Sequence, residues 1–260
     1  MSFDRIQALA ESFARGFYEH DWTCEWEVTI GDLSMEEAYA VQREVRRIRE
    51  ANGDLVMGYK VGCTSLAIRN QLGLSEPIYA PLYSPYVFEN EEPFVLKDYP
   101  HCAIEPEFVL RTRSDLEGID LSEAELRVGI ESVQAGVELH QMVFWHGEST
   151  AQELICSGGI HAGLVVGARS VDASAVELQG ERFGVEIDGE EVASATAHAI
   201  MGGPLKSLRW LINCLTKEGR NLPAGSLVIP GSPVELIRVE YPCSVDVFIE
   251  GVGTARARFV

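Results

Sequence analysis

The chain has no uninterrupted hydrophobic run of the about 18 residues that a membrane-spanning helix needs. Positive charge is scarce: 21 Lys and Arg stand against 40 Asp and Glu, a formal net charge of −19. Such a field repels phosphate backbones and anionic lipid, which argues against nucleic acid and membrane surfaces as partners. The densest basic stretch, residues 43–49, is broken by Glu44 and reads as the solvated face of a helix. None of the six cysteines forms a CxxC pair, so a zinc knuckle or thioredoxin-type motif is not expected. Their wide spacing fits a reduced, cytoplasmic protein with buried thiols. The N-terminal stretch lacks the apolar core of a signal peptide. Internal repeats, low-complexity tracts and flexible linkers are missing too. What remains is ordinary globular composition, rich enough in apolar residues to build a core.

Helical signals open the sequence. Phe3, Ile6, Leu9, Phe13 and Phe17 recur at helical spacing. Ser34 and Glu37 form a capping box before Ala38, Val41, Val45 and Ile48, and Asn52-Gly53 ends that helix. A short helix is predicted over 65–72, stopped by Gly73. The segment 78–88, rich in proline and aromatics, reads as an ordered loop. From about residue 100 the texture is mainly β, with strands predicted at 103–112, 132–141, 159–167, 182–197, 226–231, 234–241 and 244–260. Asp188-Gly189 gives a hairpin turn. One helix, 204–217, carries Leu205, Leu208, Leu211, Ile212 and Leu215 on one face. A small helical N-terminal part, residues 1–55, thus feeds a larger mixed β domain, residues 56–260.

Three carboxylates stand out. In an extended strand, side chains two apart share a face, so Glu105 and Glu107 project together among Ile104, Phe108, Val109 and Leu110. Glu138 lies in a second apolar strand pattern, with His140 on the same face. Ionised carboxylates crowded in apolar surroundings need a cation or a shared proton. A hard divalent ion such as Mg²⁺ suits an all-oxygen shell and keeps water positions open for substrate, and Mn²⁺ fits the same shell. A Glu-x-Glu pair also suits a solvated sheet edge, and Pro106 points to an edge strand. Lys60, between Gly58 and Gly62, is either a surface lysine or a desolvated acid/base group.

Taken in order, Gly58-Tyr59-Lys60-Val61-Gly62-Cys63-Thr64, Gln71-Leu72-Gly73, Pro77, Ile104-Glu105-Pro106-Glu107 and Val137-Glu138 form a wider pattern. Gly202-Gly203-Pro204-Leu205, residues 225–231 and residues 249–253 complete it. Across nearly its whole length the chain resembles the hydratase/decarboxylase branch of the fumarylacetoacetate hydrolase superfamily. The resemblance implies an α+β fold: a mixed β-roll or distorted barrel with flanking helices. It implies that Glu105, Glu107 and Glu138 bind Mg²⁺ or Mn²⁺, with Lys60 beside the metal in substrate binding or proton transfer. It also implies a homo-oligomer, and a complex with another enzyme of the same pathway.

Two departures bear on the reaction. Where the hydratases carry an aspartate after the proline, this chain has Ile78, closer to the decarboxylases. Where the branch carries Asp-Asn-Ala-Ser, it has Ser157-Gly158-Gly159-Ile160-His161, so Ser157 and His161 stand as substitute substrate contacts. Gly203 either offers a helix N-terminus to a substrate carboxylate or simply precedes a proline in the first turn. Ser232 occupies a position where the superfamily often has a small hydroxyl near the site. The expected activity is a metal-dependent, hydratase-like lyase adding water to a small 2-hydroxy-dienoate or 2-oxo-enoate through a metal-stabilised enolate. Decarboxylation of a 2-oxo-enedioate, C–C hydrolysis of an acylpyruvate and a catalytically silent scaffold follow as alternatives.

Overall fold

A computed structural model describes residues 3–19, 30–145 and 149–260, which leaves Cys24 outside the description. Two helices come first, α1 (Phe3–Glu19) and α2 (Met35–Ala51). Ser34 and Glu37 close the α2 capping box reciprocally, satisfying N–H groups that the first turn would otherwise leave orphaned. There follow β1 (Val56–Gly62), α3 (Leu66–Leu72), β2 (Ile78–Tyr83), β3 (Val87–Glu89), β4 (Pro93–Phe94) and β5 (Cys102–Thr112). Next come α4 (Glu123–Gly129), β6 (Ile130–Gln141), α5 (Ala151–Cys156), β7 (His161–Val166) and β8 (Val171–Asp172). The chain ends with β9 (Arg182–Ile187), β10 (Glu190–Thr196), α6 (Pro204–Lys217), β11 (Leu227–Ile229), β12 (Ile237–Arg238), β13 (Ser244–Ile249) and β14 (Gly253–Phe259).

The strands make two sheets. The larger runs β2-β1-β11-β5-β6-β7-β3, with β12 beside β5 and β8 beside β6; the smaller runs β10-β9-β13-β14-β4. Three strand steps separate β1 from β6, roughly 14 Å in a flat sheet at about 4.8 Å a step. Yet Lys60 on β1 hydrogen-bonds Glu138 on β6. The large sheet is therefore curled into a half-barrel whose inner faces meet.

Alternation sorts the two faces. Tyr59, Val61, Ile104, Phe108, Leu110, Val133, Val137 and Leu139 point outward into the main core, against the small sheet and α6. There Phe108 and Phe183 meet edge to face at 4.7 Å between ring centroids, tying the two sheets together. The opposite residues line the inside. Leu82, Val109, Leu164, Leu227 and Ile229 form a small apolar floor, and Lys60, Glu105, Glu107, Glu138 and His140 alternate onto that same face. A third cluster joins α1, α2 and α5 with Ile78.

Three expectations change. Residues 78–83 are a strand, not a loop: β2 is buried along its length and lies at the sheet's edge, where Pro81 opposite Tyr59 costs no ladder bond. β5 is internal, but β11 pairs with it only at 110–111 and β12 only at 103–104, so Pro106 faces a gap on that side. The run at 43–49 is not uniformly solvated. Arg49 is buried, pairs with Asp54 at 2.6 Å and lies 3.8 Å from the centre of the Tyr18 ring. The five described cysteines are all free.

Candidate metal centre

Antiparallel pairing of β5 and β6 builds the site. Glu105 stands opposite Glu138, Glu107 opposite Gly136, and Ala103 opposite His140. The small partners Gly136 and Ala103 leave room at either end, so four polar side chains fit on one patch. Glu107 and Glu138 are fully buried, and Glu105 keeps 22% of its side chain exposed, at the open rim.

Glu138 is the hub. Its Oε1 accepts from the Lys60 Nζ and lies 2.7 Å from His161 Nδ1; its Oε2 lies 3.5 Å from His140 Nε2. Burial alone would raise its pKa, but Lys60 and the two imidazoles outweigh burial and hold it well below the usual carboxylate range. Lys60 also donates to the Gly159 carbonyl at 3.3 Å. His140 Nε2 is 3.1 Å from Glu105 Oε2. Glu107 takes one backbone N–H, from Gly231 at 3.0 Å on Oε2, through the gap that Pro106 leaves beside β5. Burial first, then the charges of Glu138 and Glu105, push its pKa well above normal. Burial lowers the pKa of His161, against the pull of Glu138.

The donor set fits a divalent cation. With all three carboxylates ionised, the one ammonium would leave two negative charges uncompensated, the charge that a divalent cation balances. Glu107 Oε1 is buried without a hydrogen-bond partner among the described residues, as are His140 Nδ1 and His161 Nε2. An orphaned buried carboxylate oxygen beside two more carboxylates is a group that a cation would satisfy. Single donor atoms of Glu105, Glu138 and His140 lie within 4.8 Å of one another. Glu107 stands outside that tight group, at the other end of the patch.

No family model matches the chain. It is 27% identical over 229 residues to a 2-keto-4-pentenoate hydratase of Paraburkholderia phymatum, covering 88% of this chain and 87% of that one. It is 26% identical over 260 residues to a 4-oxalocrotonate decarboxylase of Pseudomonas sp. strain CF600, covering 99% and 97%. The 4-oxalocrotonate decarboxylase of Pseudomonas putida G7, solved with magnesium and adipate, superposes with a TM-score of 0.93 at 26% identity, over 100% of this chain and 99% of that one. Over nearly its whole length the chain is thus similar, in sequence and in fold, to the hydratase/decarboxylase branch of the fumarylacetoacetate hydrolase superfamily.

The residues singled out in the sequence divide. The structure brings together Lys60, Glu105, Glu107, Glu138 and His161. Among the described residues, none of the other three hydrogen-bonds a member of that cluster. The Ser157 hydroxyl is spent at the end of α5, donating to the Leu154 carbonyl and accepting from the Ile160 N–H. Ser232 is likewise closed on Val234. Gly203 lies against Gln179, in a depression it shares with Glu123 and Arg127 and not with Glu105, Glu107 or Glu138. His140 was not among the predicted site residues, although its place two residues after Glu138 was the signal for it. A larger cavity of about 260 Å³ opens beside Tyr99, His101, Cys102 and Arg238. Strand alternation turns Cys102 to the face opposite Glu105, so this cavity is separate from the carboxylates.

Proposed function

We propose that this protein is a divalent-metal-dependent lyase that adds water to a small 2-hydroxy-dienoate or 2-oxo-enoate. The observation that carries the reading is that three carboxylates, two of them fully buried, share the inner face of the curled sheet with the buried Lys60. Glu105, Glu107 and Glu138 would hold Mg²⁺ or Mn²⁺. When bound, the ion supplies a Lewis acid for the carboxylate and 2-oxo oxygens of the substrate, which lowers the cost of the enolate. Lys60, held between Glu138 and the Gly159 carbonyl, would hand over or take up a proton. His161 presents a buried, unpartnered Nε2 that can hydrogen-bond a water or a substrate oxygen.

A second reading, decarboxylation of a 2-oxo-enedioate, is favoured by one observation. Ile78, where the hydratases carry a carboxylate, is buried at the end of β2 opposite Gly62 and offers no acid or base. A panel of 2-hydroxy-dienoates and 2-oxo-enedioates, assayed with Mg²⁺, with Mn²⁺ and with EDTA, separates the two. Hydration gives metal-dependent loss of the dienol absorbance and a hydroxy-oxo acid without CO₂, whereas stoichiometric CO₂ supports the second reading. Glu138→Gln should lower turnover by about 100-fold or more. Full turnover in EDTA, or in that variant, would refute both readings.

A further inference from the structure

We propose that His140 is itself a metal ligand, which makes the centre of this chain a mixed nitrogen–oxygen site. The inference rests on the metal reading above and adds a donor to it. Alternation along β6 puts His140 on the same face as Glu138, and the facing residue on β5 is Ala103, whose methyl leaves the ring free to lean over Glu105. His140 Nε2 sits 3.1 Å from Glu105 Oε2 and 3.5 Å from Glu138 Oε2.

Those spacings decide between two roles. Neighbouring donors on an octahedral ion, each about 2.1 Å from it, are about 3 Å apart. The nitrogen already stands near such spacings from both carboxylates, at 3.1 and 3.5 Å, and single donor atoms of all three residues lie within 4.8 Å of one another. As a hydrogen-bond donor alone, one Nε2–H serves one carboxylate at a time, either Glu105 at the rim or the buried Glu138. A cation among the three satisfies both carboxylates and the nitrogen lone pair together. Glu107, whose Oε2 takes the Gly231 N–H at the far end of the patch, keeps a buried Oε1 without a protein partner that the same ion could draw on.

The choice of ion follows from the nitrogen. Mg²⁺ favours oxygen donors, whereas Mn²⁺ and Co²⁺ accept imidazole, Co²⁺ more strongly. Replacing His140 should therefore weaken Mn²⁺ and Co²⁺ by about tenfold or more and Mg²⁺ much less.

The test is pulsed electron paramagnetic resonance on the full-length protein loaded with one equivalent of Mn²⁺. A directly bound nitrogen should give ¹⁴N modulation that changes on ¹⁵N-histidine labelling. That modulation should vanish in His140→Gln and survive in His161→Gln, with thermal melts showing that both variants are folded. If His140→Gln does not fold, survival of the coupling in His161→Gln carries the assignment. Tight Mn²⁺ binding without nitrogen coupling, or coupling lost only in His161→Gln, overturns the role of His140 and leaves the metal centre standing. Failure to bind Mn²⁺, Co²⁺ or Mg²⁺ at all overturns the metal reading beneath it.

Discussion

Gly159 shows how closely Lys60 is packed. A Cβ added there would lie 3.1 Å from Nζ and 3.2 Å from Cε, and the residue's φ of +72° is one that side-chain-bearing residues rarely adopt. Gly159→Ala should therefore cost about 1–3 kcal/mol from backbone strain and push the ammonium off Glu138. We expect a lower melting temperature, with turnover falling roughly tenfold to 100-fold while Mn²⁺ affinity measured by calorimetry changes little, because misplacing one acting group by about 1 Å is enough. Unchanged turnover would show that the amine's position does not matter. At this scale the sequence was informative where period-two alternation applies: Glu105 and Glu107 share one face of β5, and Glu138 and His140 one face of β6, as the spacing requires, while the β5–β6 register that joins the two pairs is set by pairing. It was silent where the outcome depends on the chain's path. Nothing in the residue order says that the Ser157 hydroxyl turns back onto its own helix end, or that Gly203 lies against Gln179.

Elements show the same division. The α2 capping box, the 204–217 helix and the Asp188-Gly189 turn, with both residues at positive φ, follow from local chemistry and appear as read. β2 did not, because a strand buried throughout has no polar alternation to reveal it and resembles any apolar run with a proline. The join between β1 and β11 is equally invisible in the sequence, and it is tight. Gly58, at a φ of +151°, stands opposite Leu227, and an added Cβ would fall 1.8 Å from the Leu227 carbonyl oxygen. Gly58→Ala must separate the two strands that carry Lys60 and lead to Gly231. We expect loss of soluble folded protein or a drop of more than about 3 kcal/mol in denaturant stability, as for other severe overpacking. A milder change, Ser34→Ala, removes one side of the α2 box and should cost about 1 kcal/mol without altering the metal centre.

For the molecule as a whole, the site is a meeting point of distant sequence. Residues 60, 105, 107, 138, 161 and 231 come together there. A ligand that binds only the native state stabilises it by about 2.7 kcal/mol at 100 times its dissociation constant. Saturating Mn²⁺ should thus raise the melting temperature by several degrees, and Glu107→Gln together with Glu138→Gln should abolish the shift. An equal shift in that double variant would place the binding elsewhere on this strongly acidic chain.

The half-barrel curl has one more consequence. Because β1 must bend round to face β6 before the lysine can reach its glutamate, no fragment of the chain, and no flattened intermediate, holds the assembled centre. Inactivation in urea should then track the loss of far-ultraviolet circular dichroism with one shared midpoint, and a construction that splits the chain between β2 and β5 should regain function only when both halves are refolded in the same solution.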